Sequence, residues 1–364
     1  MTTASAGRLA VITNDYPPKP GGIQQYLGNL VDAYPGEVLV LAPADGPATS
    51  TRRGEAIVRR NDAKFMWPTR STGGWVEAQL RSFEPDAVLF GAPHPLPQLT
   101  SRVRSVTGVP VGVLCHGAEV TIPAAIPAVR QGLGRMLAAA DVRFAVSHFT
   151  ARRVERLTGA PVVYIGGGVD LERFSQVARP EGRSLVVGCV SRFVPRKGQH
   201  RLLEAAARAR AAGVDVEVLL VGRGRMEPEL RRGAVSADVP VRFAVDVPWD
   251  ALPGLYAEMD VFCMPCRTRW GGLEVEGLGL VYLEAAATGI PVLAGDSGGS
   301  PETVIPGETG FVVHSVDDIV QAIEMLAGDR SLARRMGAAG RVRVEAEFSW
   351  SAVAARLVAG FSGA

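Results

Sequence analysis

Arg8-Leu-Ala-Val-Ile-Thr13, then Asn14-Asp-Tyr-Pro-Pro-Lys-Pro-Gly-Gly22, then residues 23–34, then Val38-Leu-Val-Leu-Ala42 form the stretch that decides the fold. The first and last pieces are apolar runs of strand length. Between them Ile23, Tyr26, Leu27, Leu30, Val31 and Tyr34 recur at the spacing of one helix face, so the order is strand, helix, strand. A βαβ unit of this kind implies a parallel sheet covered by helices. Further strands are predicted at 86–90, 109–115, 142–147 and 162–165.

Gly166-Gly-Gly-Val-Asp-Leu-Glu-Arg-Phe174 and the polar residues after it break the periodicity. A linker is expected at 171–183, between domains 1–170 and 184–348. The second series has predicted strands at 185–190, 216–221, 241–244, 260–264, 291–294 and 310–313. A C-terminal helix at about 349–364 is expected to pack back on the first domain. The fold class is α/β, as two doubly wound Rossmann-like domains facing each other across a cleft, and 364 residues suffice for two separate cores.

Composition excludes several classes. Thirty-nine Lys and Arg against 37 acids leave a net charge of +2, too little for a basic nucleic-acid footprint. No charge-free run reaches the roughly 18 to 20 apolar residues of a membrane span, and 9–12 is too short for a signal-peptide core, so a cytoplasmic location is expected. Cys263 and Cys266 form a lone C-x-x-C with no second ligand pair, and there is no Asp-x-Asp, so neither a structural zinc nor a metal clamp is expected, and no cofactor.

The loops after the strands carry the chemistry. Gly21-Gly22 opens a helix without the G-x-G-x-x-G of a dinucleotide site, yet lets main-chain amides approach an anion. Ser191-Arg-Phe-Val-Pro-Arg-Lys-Gly198 follows the first strand of the second domain. Arg192 and Lys197 are placed there to converge on a pyrophosphate, and Lys197 is one of only three lysines beside 36 arginines.

Glu276-Gly-Leu-Gly-Leu-Val-Tyr-Leu-Glu284 puts two glutamates eight apart, about 12 Å along a continuous helix. That is too far for the acid and nucleophile of a retaining glycosidase, whose carboxyls sit about 5 Å apart. The better reading puts Glu276 in a loop, facing sugar hydroxyls. The amides of Gly279, Leu280 and Val281 then open a helix toward phosphate, and Glu284 holds a ribose diol.

These residues carry a resemblance. The E-x7-E stretch, the S-R-x5-K loop, the first Gly-Gly and Ser297-Gly-Gly-Ser-Pro-Glu302 resemble the retaining glycosyltransferases of family GT4, with the GT-B fold, over nearly the whole chain. Asn14-Asp-Tyr-Pro-Pro, Gly21-Gly-Ile-Gln and, above all, the 264–284 string Met-Pro-Cys-Arg-Thr-Arg-Trp-Gly-Gly-Leu-Glu-Val-Glu-Gly-Leu-Gly-Leu-Val-Tyr-Leu-Glu are similar to the bacterial GDP-mannose-dependent phosphatidylinositol-monomannoside mannosyltransferases.

The resemblance implies a nucleotide sugar held mainly by the second domain, with Arg192 and Lys197 on its diphosphate, Glu284 on its ribose, and Asp246 and Val247 at its base. Val245 stands where the family usually has glycine. His116, in Leu114-Cys-His-Gly-Ala-Glu119, matches the histidine that reaches the transferred sugar. The implied reaction moves mannose from GDP-mannose to a phosphatidylinositol mannoside through an α-1,6 linkage, at the inner membrane face. The diphosphate leaves on the face the acceptor hydroxyl attacks, and no protein nucleophile takes part.

A positive excess in the first domain is concentrated at Arg52, Arg53, Arg59, Arg60, Lys64 and Arg70, with Phe65, Met66, Trp67 and Trp75 among or beside them. Two readings stay open: a peripheral contact with an anionic membrane that holds the acceptor with Asn14 and Asp15, or a solvated surface whose aromatics pack inward. Two functional rivals also remain, a family member with another donor or a soluble acceptor, and a two-domain protein that binds a sugar phosphate without transfer.

Overall fold

A computed structural model describes residues 7–44, 50–176 and 184–363, the side chains of 50–53 excepted. The chain divides into two compact units. One runs to Gly168 and takes up the residues from Trp350 onward, and the other is Val169–Ser349. The expected linker lies partly outside the described residues, at 177–183, and its described part belongs to the second unit.

The first unit has β1 (Leu9–Ile12), β2 (Val38–Ala42), β3 (Ser50–Arg53), β4 (Ala56–Arg60), β5 (Ala87–Phe90), β6 (Val111–Cys115), β7 (Val142–Ala145) and β8 (Val163–Tyr164) in one sheet, ordered β3-β4-β2-β1-β5-β6-β7-β8. All neighbours are parallel except β3 and β4, an antiparallel hairpin at the edge. The order reverses between β1 and β5, where a doubly wound sheet leaves a crevice at its carboxyl edge. Helix Gly22–Asp32 buries Tyr26, Leu27, Leu30 and Val31 as the sequence spacing requires.

The β3–β4 hairpin corrects the sequence reading, which left this stretch as a basic surface. Arg59 and Arg60 lie on β4, and their guanidiniums are engaged: Arg59 donates to Gln79 Oε1, and Arg60 to the carbonyls of Pro43 and Pro17. Met66 is fully buried, Lys64 is exposed, and Trp67 is 61% exposed with its ring 4.8 Å from that of Phe65. The Arg52 and Arg53 side chains lie outside what is described.

The second unit has β9 (Leu185–Val190), β10 (Val216–Val221), β11 (Val241–Ala244), β12 (Val261–Met264), β13 (Val292–Gly295) and β14 (Gly310–Val313), in the all-parallel order β11-β10-β9-β12-β13-β14. Its switch point lies between β9 and β12. Strands β9, β10, β12 and β13 are almost wholly buried, which is why they read as continuous apolar runs and not as alternations.

Helix Trp350–Ser362 belongs to the first unit. Phe361 packs edge-on against Phe144 at 5.0 Å between centroids, Trp350 against Tyr26 at 5.1 Å, and Arg356 Nε donates to the Ile165 carbonyl at 2.8 Å.

Candidate active site

In the second unit the loops that leave β9 and β12 meet at the switch point. Ser191–Gly198 follows β9, and Gln199 pins it by donating to Ser191 Oγ at 2.7 Å and to the Arg192 carbonyl at 2.9 Å. Pro195–Lys197 form one 3-10 turn, ended by Gly198 at φ 78°. A Cβ at Gly198 would lie 2.2 Å from the Pro265 carbonyl oxygen. Glycine therefore lets the β9 loop rest directly on the β12 loop, and Arg267 N–H closes the contact on the Arg196 carbonyl at 2.9 Å.

Across this contact Lys197 Nζ and Arg196 Nη1 both donate to Glu276 Oε2, each at 2.6 Å. Arg196 also lies 3.8 Å from Glu274, which Arg269 approaches at 3.3 Å. Burial alone would raise the Glu276 carboxyl. The neighbouring Lys197 and Arg196 outweigh it and hold the group at about 2, so it is ionised. One of the three Nζ donors of Lys197 is spent on Glu276, and the others remain for a ligand.

Lys197 shares Glu276 with Arg196, a residue the sequence reading did not single out, while Arg192 is exposed and donates no hydrogen bond to any described residue. The Pro195 turn brings residues 196 and 197 to the same side of the loop. The cue that could have found Arg196 is the adjacent pair of cations opposite Glu274-Val-Glu276.

Glu276 sits in a loop, and a second turn fixes its main chain. Its N–H donates to Ser297 Oγ at 3.2 Å, and its carbonyl accepts from Gly299 N–H at 2.9 Å. Gly298, at φ 61°, passes so close that a Cβ there would be 1.9 Å from the Glu276 carbonyl oxygen. The Ser297-Gly-Gly-Ser300 turn is thus a seat for Glu276, which the sequence reading quoted without assigning. Gly279, at φ 89°, caps helix Leu280–Ala287 without any side-chain cap, so the amides of Leu280 and Val281 at its first turn stay available to an anion.

Glu284 is buried in that helix and accepts from Tyr256 OH at 2.7 Å. Burial pushes its carboxyl up to about 7, against the Tyr256 hydrogen bond and the charge of Arg173, which lower it. Asp246 stands at φ 53° after β11, exposed and paired with Arg223 at 2.9 Å, with Val247 half-buried beside it. The cysteine pair is ordinary core: Cys263 is buried, and Cys266 contacts Tyr282 OH at 3.1 Å and Ser300 Oγ at 3.3 Å.

In the first unit the candidate residues collect at the carboxyl edge of β1, β5 and β6. His116 is buried, with Nε2 3.0 Å from the Gly91 carbonyl and its ring edge-on to Tyr26 at 5.2 Å. The N–H groups of His116 and Gly117 both donate to Glu119 Oε1, the second at 3.1 Å, which fixes the loop. Tyr26 OH is held by the Gly166 carbonyl at 2.6 Å. Asp15 accepts from Gln24 Nε2 at 2.6 Å, and burial raises its carboxyl above the usual range. Gly21 and Gly22 start the following helix and are exposed.

Asn14, expected on the acceptor side, is tied into the fold. Its side chain is 5% exposed and pairs with the Met66 backbone in both directions, donating at 3.1 Å and accepting at 2.7 Å. It ties the loop after β4 to the loop after β1. Among the described residues no group of His, Cys, Asp and Glu is placed to hold a metal, and no helix is long and apolar enough to cross a membrane.

Comparison with known proteins gives one answer. The family model for Glycosyltransferase Family 4 matches residues 20–173, and that for Glycosyl transferases group 1 matches 170–343. The chain is 37% identical, over 97% of each chain, to a Corynebacterium glutamicum protein named GDP-mannose-dependent monoacylated alpha-(1-6)-phosphatidylinositol monomannoside mannosyltransferase. It is 39% identical to the Mycobacterium tuberculosis GDP-mannose-dependent alpha-(1-6)-phosphatidylinositol monomannoside mannosyltransferase, over 96% of this chain and 97% of that one.

Among solved structures, sucrose-phosphate synthase of Thermosynechococcus elongatus has TM-score 0.78 at 22% identity, over 96% of this chain and 97% of that one. HepE of Anabaena in complex with UDP has TM-score 0.77 at 18% identity, over 98% and 100%. Two doubly wound parallel sheets in one chain are the GT-B fold. With near-full-length relatives and both halves matched, the chain belongs to the GT4 family of glycosyltransferases.

Proposed function

We infer that the protein is a hexosyltransferase that moves mannose from GDP-mannose to a phosphatidylinositol monomannoside, forming an α-1,6 linkage in glycolipid biosynthesis. The relatives that share its full length carry this activity in their names. The structural feature that most supports the reading is the pair of cations, buried Lys197 and half-buried Arg196, held on one carboxylate oxygen beside an uncapped helix start. A binder of neutral sugars has no use for such an arrangement. A departing nucleoside diphosphate needs fixed donors where its charge gathers.

In this reading Lys197 and the amides of Leu280 and Val281 take the diphosphate, Arg192 swings in from solvent, Glu284 takes the ribose diol, and Asp246 and Val247 adjoin the base. Glu276 keeps the cations in place and presents its remaining oxygen to sugar hydroxyls. His116 serves the transferred sugar and Asp15 the acceptor. The bond from the anomeric carbon to the diphosphate oxygen breaks as the acceptor hydroxyl oxygen bonds to that carbon, and the hydroxyl proton passes to the departing diphosphate. No cofactor or metal is required by these steps, and the lipid acceptor calls for peripheral contact with the inner face of the cell membrane.

The test is transfer by purified protein from radiolabelled GDP-mannose to phosphatidylinositol monomannoside dispersed in detergent. Label in the lipid product with retained anomeric configuration supports the reading. No label, while a uridine-based donor or a soluble acceptor is turned over, overturns it in favour of another GT4 specificity.

A further inference from the structure

The first unit exposes an apolar surface that the site does not use. Ile122-Pro-Ala-Ala-Ile-Pro-Ala-Val129 is eight uncharged residues long, and Ile122, Ile126 and Val129 are 52%, 58% and 43% exposed. Arg130 and Arg135 follow on helix Pro127–Ala138, neither with an ion-pair partner among the described residues, and no acid occurs between Glu119 and Asp141. Beside them is a groove of about 610 Å³, lined by Ala124, Arg130, Gln131, Arg135, Leu157 and Thr158 among others, with no acidic residue in its wall.

We propose that segment 122–129 inserts into an anionic phospholipid bilayer while Arg130 and Arg135, in the adjacent groove, take a lipid phosphate, so that this face docks the first unit on the membrane. The inference rests on the reading of a lipid acceptor. Its chemistry is that of interfacial binding, in which aliphatic side chains enter the acyl boundary and guanidiniums meet headgroup phosphates. An exposed contiguous apolar patch rimmed by charge of one sign is rare on a surface that meets only water.

Position supports the same occupant. Segment 122–129 leaves the carboxyl edge of β6 just after His116, separated from it by the single turn Ala118–Thr121, about 6 Å of helix rise. A glycolipid whose acyl chains stay in the bilayer at Ile122 and Ile126 then has its headgroup beside the His116 loop. The surface expected from sequence, around 52–75, is the weaker candidate, because Arg59 and Arg60 are engaged within the fold and Met66 is buried. What remains there among the described side chains is Lys64 and Arg70 with the Phe65–Trp67 ring pair.

The experiment is co-sedimentation with phosphatidylcholine vesicles, with and without phosphatidylinositol, paired with transfer assays on vesicle-borne acceptor and on the deacylated, water-soluble acceptor. Ile122→Ser with Ile126→Ser, and separately Arg130→Gln with Arg135→Gln, are expected to weaken binding to phosphatidylinositol vesicles about tenfold or more. Both should slow vesicle-borne transfer in parallel while transfer to the soluble acceptor stays at the wild-type rate. Unchanged vesicle binding by both double variants, or a loss confined to Trp67→Ser, overturns the proposal. Failure of the wild type on every mannosylated acceptor would instead reject the functional reading, and vesicle binding would still decide the docking surface.

Discussion

Lys197 Nζ lies 2.6 Å from Glu276 Oε2 with both side chains buried, and Arg196 shares that oxygen, so the carboxylate keeps one cation when Lys197 is removed. Lys197→Ala is expected to leave Arg196 on Glu276 and the fold intact, while turnover falls at least tenfold, about 1.4 kcal/mol at the barrier. Steady-state kinetics with thermal unfolding of the same preparation checks this. Near-normal turnover in the folded variant would take Lys197 out of the diphosphate clamp.

Glu276→Gln acts on stability as well. It leaves buried Lys197 and half-buried Arg196 sharing a neutral amide, a loss of about 3 kcal/mol or more for a buried ion pair broken on one side. Urea denaturation should show the midpoint falling, with turnover lower still in the fraction that remains folded. An unchanged midpoint would mean that Lys197 and Arg196 reach water when Glu276 is neutralised.

The two glutamates have opposite signs of linkage with pH. Glu276 is lowered to about 2 from an ordinary 4.5, so its contribution is present above pH 4.5 and lost as pH falls through 2. Glu284 is raised to about 7, so between pH 4.5 and 7 the unfolded chain gives up a proton that the folded chain keeps, and stability declines by about 3 kcal/mol over that interval. Glu284→Gln, which keeps an acceptor for Tyr256 OH, should remove this decline and unfold at higher temperature than wild type at pH 8. It should also bind GDP more weakly. Parallel melting curves for the two proteins from pH 4.5 to 8 would contradict the assignment.

Gly298→Ala tests the seat under Glu276. The new methyl needs both a left-handed backbone and space where the Glu276 carbonyl oxygen lies 1.9 Å away. Displacing that carbonyl should weaken GDP binding by an order of magnitude or more in titration calorimetry, while Gly307→Ala, at φ 80° with open space around it, costs only its backbone strain. Equal effects at the two positions would show that strain alone, not the seat, is being measured.

Strands buried on both faces were legible because their apolar runs have no competing reading, and β9 and β10 match residue for residue. The β3–β4 hairpin was not, since Ala56-Ile-Val-Arg-Arg60, one strand in from the edge of the sheet, ends in two arginines and looks like basic surface. Within the site, the loop position of Glu276 and the helical position of Glu284 followed from spacing and glycines, whereas the burial of Glu284 against Tyr256 did not. The pairing of Arg196 with Lys197 on Glu276 did not, because it turns on one proline-initiated 3-10 turn. Asn14 was also illegible: its partners are main-chain atoms of Met66, 52 residues away, and backbone groups leave no mark in a residue pattern.

Asn14→Ala should therefore behave as a fold variant. It leaves two buried main-chain groups of Met66 unpaired, at about 1 to 3 kcal/mol each. The expected outcome is a lower unfolding midpoint with the KM for the lipid acceptor unchanged. A raised acceptor KM at constant stability would show that Asn14 contacts the acceptor.

Helix Trp350–Ser362 completes the unit that begins with β1, with Trp350 against Tyr26 and Phe361 against Phe144. During synthesis, residues 169–349 emerge and can fold while the earlier half still lacks the helix that seals it. The half that starts first is finished last. A nascent chain stalled before position 350 would hold a complete second unit and a first unit whose Tyr26 and Phe144 rings lack the partners Trp350 and Phe361.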